Sequence, residues 1–365
     1  MIPEWFNKFD KNMSFVTTNT ILLSKAGSHS YGTNTADSDE DFKGCVIAPK
    51  EYYFSAIKNF EQAELKSPNP DCTLYDLRKF IKLCTNCNPN VIESLFVREQ
   101  DYIHVSPIGQ KLIDNRDLFL SKKIKFTTMG FAFSQIAKIK SHRKFFLTPK
   151  TKPQRSDFDL KERLEIPTHQ FDAMKATIEK ELVKYQFDFI NSIDESVKID
   201  IRNTMTKMLT ELKLSKEDQW NAAVKSIGLQ DNVIEILRKE REYETAMNEY
   251  HSYIDWEKNR NRTRYNLEKT HLMDTKHCSH VYRLVRMCRE VLLTGKLNVY
   301  RDDHEELLAI RNGSVTFDQL IEFFETQEKE LDEIYKTSNI LPHQPNQKKI
   351  DELCVNLIEE FLFKG

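Results

Sequence analysis

No stretch of the 365-residue chain stays apolar for anything near the ~20 residues that a membrane-spanning helix needs. The opening residues, MIPEWFNKFDKNMSF, lack the basic start and apolar run of a secretory signal and carry Pro, Glu and Asp instead. Net charge is also missing. With 54 Lys+Arg against 56 Asp+Glu the formal charge is -2, so no global field draws nucleic acid, and any such contact must come from local basic patches. The seven cysteines, Cys45, Cys72, Cys84, Cys87, Cys278, Cys288 and Cys354, are odd in number and irregularly spaced, so they do not form the pattern of a disulfide framework and suit a reducing compartment. Cys84 and Cys87 make one CxxC, without the second pair or histidine pair of a zinc site. Repeats, low-complexity tracts and coiled-coil heptads are absent too, which leaves the oligomeric state unwritten. A soluble, cytoplasmic protein is expected, with no membrane partner.

What is present suffices for a substantial core: 39% of residues are hydrophobic and 30% charged, enough for two domains or one with a large insertion. The first third alternates strand-like and helix-like segments. TTNTILLSKAG is an apolar run closed by Gly27, DFKGCVIAP alternates up to a proline, and DCTLYDLRKFIKLCTN starts extended and turns helical after Asp76, a natural N-cap. Beyond about residue 115 nearly every segment has helical periodicity. LTPKTKPQRSDFDLKERLEIP interrupts it with prolines and dense charge, an exposed loop over about 147–167. Helices are expected again from 167 to about 265, with Ser215 and Asp218 as a capping-box variant, then at about 274–294, 316–335 and 347–363. The fold class is α+β: a small mixed-sheet domain over 1–115 followed by a large all-helical domain over 116–365.

The stretch GSHSYGTNTADSDEDFKG, residues 27–44, concentrates the chemistry. Gly27 and Ser28, read as a tight turn after a strand, let successive N–H groups and a hydroxyl form a small anion cradle that suits a phosphate. Asp39 and Asp41 are two apart; in a strand both point to one face while Glu40 points away, and paired carboxylates need cations between them. Hard oxygen ligands suit Mg²⁺, which takes one or two carboxylates plus substrate phosphates. A phosphate cradle facing paired acids is the equipment of two-metal phosphoryl or nucleotidyl transfer. The plainer alternative is a solvated acidic loop with calcium-like DxDxD spacing, but the Gly and the Glu of a calcium loop are missing at their fixed positions.

The segment AGSHSYGTNTADSDEDFKG resembles the signature of the DNA polymerase beta nucleotidyltransferase superfamily, a Gly-Ser followed after about ten residues by DxD. More narrowly it resembles a bacterial and phage branch of nucleotidyltransferases opening on GSxxYGxxTxDSDxDxxG. The resemblance continues through DCTLYDLRKFIKLCTNCNPNVIESLF, HLMDTKHCSHVYRLVRMCREVLLTGKL and EELLAIRNGSVTFDQLIE. Glu40 departs from the apolar residue usual between the two acids. The resemblance implies two Mg²⁺ (or Mn²⁺), a third acid on a neighbouring strand, and a helical domain whose basic residues hold the triphosphate of an NTP, ATP first. Asp71 and Asp76 compete for the third acid. Asp71 matches the position better, and Asp76 already has a use as helix cap.

Further constellations support this reading. Wound as a helix, DTKHCSHVYRLVRMCREVLL places Lys276, His280 and Arg283 on one stripe beside an apolar face; stacked cations repel without a guest, so a bound anion or a solvated basic face accounts for them. Lys276 and Arg283 are the expected triphosphate clamp, and His277 a core histidine. Asn88 and Glu93 either fix a helix start or approach the nucleotide or the metal-bearing strands. Arg260, Arg262 and Arg264 with Trp256 and Tyr265 suit unstacked bases and phosphates of RNA, or serve solubility alone. His142, Arg143, Lys150, Lys152 and Arg155 extend a basic surface or belong to an exposed loop. The expected activity is transfer of NMP from an NTP to an acceptor hydroxyl with release of pyrophosphate. The acceptor is an RNA or tRNA 3′ end, a protein hydroxyl as in nucleotidylating antitoxins, or a small molecule; the rival is a non-catalytic nucleotide-sensing or RNA-binding module.

Overall fold

The computed structural model describes residues 3–9, 13–36, 38–66, 70–164, 166–183, 220, 224–225, 227–260 and 262–363. The side chains of Arg262 and Arg264 and the proposed cap at Ser215 and Asp218 lie outside what is described. The elements in order are α1 (Phe15–Asn19), β1 (Thr20–Ala26), α2 (Gly27–Tyr31), β2 (Asp41–Val46), α3 (Glu51–Phe54), β3 (Gln62–Lys66), β4 (Asp71–Asp76), α4 (Leu77–Thr85), α5 (Pro89–Ile92), β5 (Tyr102–Val105), α6 (Pro107–Asp114), α7 (Lys123–Leu147), α8 (Thr168–Val183), α9 (Asp231–Lys258), α10 (Arg262–His271), α11 (Thr275–Thr294), α12 (His304–Arg311), α13 (Phe317–Thr337) and α14 (Gln347–Phe363). A mixed sheet near the N-terminus followed by a largely helical remainder is the α+β class expected. The chain forms two compact units, residues 1–147 with 261–365, and residues 148–260.

The first unit holds a five-stranded sheet in the order β3-β4-β2-β1-β5. β2 and β4 run parallel and every other pair antiparallel. Both sheet faces are covered, which is why β1 reads as a continuous apolar run and not as an alternation. One core takes Leu23, Phe42, Val46 and Leu74 with Phe6 and Phe60; the other takes Leu22, Cys45, Leu77 and Phe80 and runs on without a break through Ile139, Val285 and Leu320 to Leu357. Buried strands and four long helices thus share one apolar interior. α11 packs along α7 and is buried almost all round, from Cys278 through Val281 and Val285 to Leu292.

Local sequence explains the helix ends. Asp76 caps α4 by accepting the Arg78 backbone N–H at 3.0 Å, as expected. Thr316 and Gln319 form a capping box at α13. α11 stops at Gly295 (φ 71), a left-handed residue.

In the second unit, Phe171, Ile178, Trp220, Val224 and Leu237 form a small separate core. The segment expected as an exposed loop is irregular apart from one turn at Arg155–Phe158, yet it is tied down: the Arg155 guanidinium donates to the buried Glu240 at 3.0 Å, and Lys150 to Glu249 at 2.6 Å. Two of the basic groups named there, Lys150 and Arg155, are therefore matched by carboxylates.

Candidate active site

The parallel register of β2 and β4 sets Asp41 directly beside Asp71, while the antiparallel register of β1 and β2 sets Asp41 opposite Ala26, the last residue of β1. Strand side chains alternate between faces, so Asp41, Lys43 and Asp71 leave the sheet opposite Phe42, Cys72 and Leu74, on the side where the helices pack. Asp76 stands at the other end of β4, five residues or roughly 16 Å from Asp71. It is buried and committed, accepting from Arg78 Nε at 3.0 Å and Tyr53 Oη at 2.8 Å as well as capping α4. Of the two acids offered for the third position, Asp71 is the one next to Asp41.

Residues 27–31 differ from the tight turn expected after β1. Gly27 breaks the strand with φ +62, and the chain enters the single helical turn α2, which the left-handed Gly32 closes at φ +77. A Cβ on Gly27 would run into Oδ2 of Asp41, so the Asp41 carboxylate lies against the bare Cα of the bend. Ser30 Oγ donates to the Gly27 carbonyl at 2.8 Å and locks the turn; Ser28 is half-buried beside it. Asp39 and Glu40 precede β2 instead of lying within it, although the Glu40 carbonyl already accepts the Asp71 N–H at 3.0 Å. Asp39 and Asp71 are exposed and Asp41 is half-buried. Burial pushes the Asp41 carboxyl above its usual range, the neighbouring Asp71 charge pushes further and Asp39 adds to it, against Lys276 and Lys43. Among the described residues no three His, Cys, Asp or Glu side chains converge into a ready-made ligand set.

α11 supplies the positive side. Its N-cap Asp274 is fully buried, accepts the His277 backbone N–H at 3.1 Å, and takes His277 Nδ1 at 2.7 Å and His142 Nδ1 at 3.0 Å. His277, expected in the core, is half-buried and held by this carboxylate. Lys276, in the same first turn, stands close enough to Asp41 to stabilise its charge. One turn on, His280 is ringed by Arg283, His277, Lys276 and Arg311; burial and then these charges hold its imidazole well below the usual histidine pKa. Arg311, at the end of α12, donates to the Thr33 carbonyl at 2.9 Å and so ties that ring to the loop after α2.

Arg283 is placed differently from Lys276. It is buried, donates to Glu93 Oε1 at 2.7 Å, and lies 3.7 Å over the Tyr31 ring, while the Tyr31 hydroxyl donates to Glu93 Oε2 at 2.6 Å. Glu93 therefore clamps α2 and α11 together, a use the sequence reading did not offer, and its charge also acts on Lys43 of β2. Asn88 does fix its helix start, accepting the Asn90 N–H at 3.0 Å. Lys43 was missed. It donates to the Asn90 carbonyl at 2.6 Å, with burial lowering its pKa against the pull of Glu93 and Asp41. Strand alternation from Asp41 points to it directly. Arg311 carries no comparable local signal. Arg260 lies over the Trp256 ring at 4.8 Å in the second unit.

Residues 2–152 match the model of the RlaP family, described as the RNA repair pathway DNA polymerase beta family. A relative from Enterobacteria phage T4, described as an uncharacterized 38.9 kDa protein in the nrdC-mobD intergenic region, is 28% identical over 130 residues. That similarity spans 33% of this chain and 38% of the phage protein. No solved structure matches the chain. The family match bears out the resemblance to polymerase beta-like nucleotidyltransferases over a region that contains the sheet, α2 and all three acids, and it ends before α11.

Proposed function

We propose that the protein is a metal-dependent nucleotidyltransferase that moves NMP from an NTP to an acceptor hydroxyl and releases pyrophosphate. The observation that carries this reading is the pairing of Asp41 with Asp71 on adjacent parallel strands, with the Asp41 carboxylate pressed against Gly27. Hard carboxylate donors with too few cations to balance them suit Mg²⁺, and Mg²⁺ needs only one or two carboxylates because substrate phosphates complete its shell. Asp39, Asp41 and Asp71 would hold the ions, which when bound lower the pKa of the attacking hydroxyl and neutralise charge on the departing pyrophosphate. The Gly27–Ser28 bend backs the phosphates, and Lys276 and His280 face them from α11. Arg283 acts through Glu93, keeping that helix against α2. Lys43 offsets part of the carboxylate charge while the acids await their cations.

The acceptor we favour is an RNA 3′ end, including tRNA, in line with the description of the matched family. ATP is the first NTP to test. Among the described residues no three acids form a preformed cluster, which favours one rival, a nucleotide-sensing module without transfer activity. Incubating the purified protein with each α-labelled NTP, Mg²⁺ and either total cellular RNA or lysate protein separates these readings. Label is expected in RNA, and lost in Asp41→Asn. Label in protein moves the acceptor to a protein hydroxyl; bound NTP with no transfer establishes the sensor and refutes the enzyme.

A further inference from the structure

The helix α2 is five residues long, far below the ~12–15 residues that hold a helix in isolation, so contacts from elsewhere must set its geometry. Its bonds carry that geometry to the Gly27–Ser28 bend. The Ser28 carbonyl accepts the Gly32 N–H and, at 3.0 Å, the Thr33 N–H, so the bend goes where residues 32 and 33 are placed. Residues 31–33 are each held by a different residue of the segment 300–311. Arg311 Nη1 donates to the Thr33 carbonyl at 2.9 Å, across 278 positions of sequence. The Arg301 N–H donates to the Tyr31 carbonyl at 3.1 Å. Tyr300 covers Gly32 so closely that a Cβ there would lie 2.6 Å from its ring. The loop before α12 is itself anchored: the buried Arg301 guanidinium donates to Glu290 of α11 at 2.6 Å and to Asp303 at 3.0 Å, and the Arg98 guanidinium lies 3.6 Å over the Tyr300 ring.

We propose that Tyr300, Arg301 and Arg311 are positioning residues for nucleotide binding, acting through residues 31–33 on the Gly27–Ser28 bend. The inference rests on the nucleotidyltransferase reading and adds to it a brace from the helical part of the chain. Arg311 is the member whose side chain makes the decisive bond, a charged donor on a backbone carbonyl, which is stronger than a neutral pair. Without it Thr33 loses its fixed carbonyl partner, and the N–H that Thr33 gives to Ser28 loses its fixed position. A binding site depends on such placement, because donors displaced by a fraction of an ångström no longer meet their ligand together.

Amide exchange and calorimetric titration with magnesium ATP, both on the full chain, read the two halves of the proposal separately. In Arg311→Met the Gly32 and Thr33 N–H groups are expected to exchange about tenfold faster or more, with the amides of α11 as protected as in wild type, and Kd for magnesium ATP to rise by a similar factor. Arg311→Lys keeps a donor and should recover most of both. Tyr300→Leu should act in the same direction, and the double variant should lose less affinity than the product of the single losses, because both residues hold one turn. Unchanged exchange at Gly32 and Thr33 overturns the brace, whatever happens to Kd. Faster exchange there with an unchanged Kd overturns the positioning role and leaves the nucleotidyltransferase reading standing. A wild type that binds no magnesium ATP refutes the nucleotide site and this proposal with it. Should Arg311→Met fold poorly, Tyr300→Leu decides by the same two readouts.

Discussion

Gly27 is held at φ +62 with the Asp41 carboxylate against its Cα, so any side chain there meets both backbone strain and a carboxylate. Gly27→Ala is expected to cost about 1–3 kcal/mol in urea unfolding and to abolish transfer by displacing Asp41. Asp41 itself carries a folded-state pKa raised by burial and by Asp71. A raised carboxyl pKa means that folding disfavours the charged form, so the charge destabilises the metal-free protein above that pKa and has no such effect where Asp41 is protonated in both states. Asp41→Asn should therefore raise the Tm of the metal-free protein at neutral pH, lose that advantage in acid, and remove the rise in Tm that Mg²⁺ gives wild type. Thermal melts across pH, with and without Mg²⁺, test all three. Arg283 and Glu93 form a buried pair, and breaking one side leaves an uncompensated charge. Arg283→Met should cost about 3–5 kcal/mol in urea unfolding, and Glu93→Gln combined with it should cost less than Arg283→Met alone.

At the level of elements, α11 was legible as a helix because its apolar positions recur with helical period and Asp274 and Gly295 stand at its ends. Its stripe of cations was legible as well, but their environments were not. Lys276 and Arg283 have the same charge and lie on the same stripe, yet one stands near Asp41 and the other lies buried on Glu93, a residue 190 positions away. Helical periodicity records the angle of a side chain about its own axis and nothing of what the neighbouring element presents. Asp274 joins the N-cap of α11 to two histidines. Asp274→Ala is expected to lose about 1–2 kcal/mol from the cap alone. It should also raise KM for the NTP more than it lowers kcat, because the first turn that carries Lys276 frays; steady-state kinetics and amide exchange of α11 check this.

Across the whole molecule, one apolar cluster runs from Ile21 and Leu77 under the sheet to Val285 on α11 and Leu357 on α14. A fragment of residues 1–115 would keep the strands and lose the helices that cover one of their faces. It is expected to lack the cooperative urea transition expected of the same residues in the full chain; cooperative unfolding of the fragment would establish that the sheet region folds alone. No helix among the described residues is long and apolar enough to cross a membrane.

The sequence by itself determined the local matters: the strands ending at Gly27 and beginning at Asp41, the cap at Asp76, and the helix boundaries near 274–294 and 347–363. These follow from side-chain period, turn chemistry and capping, which act over a few residues. Only the tertiary structure decided that Asp71 and not Asp76 adjoins Asp41, that Glu93 clamps Tyr31 and Arg283, and that Lys43 and Arg311 complete the surroundings of the site. Strand register and helix packing set those relations between residues far apart in the chain, where no local pattern reaches.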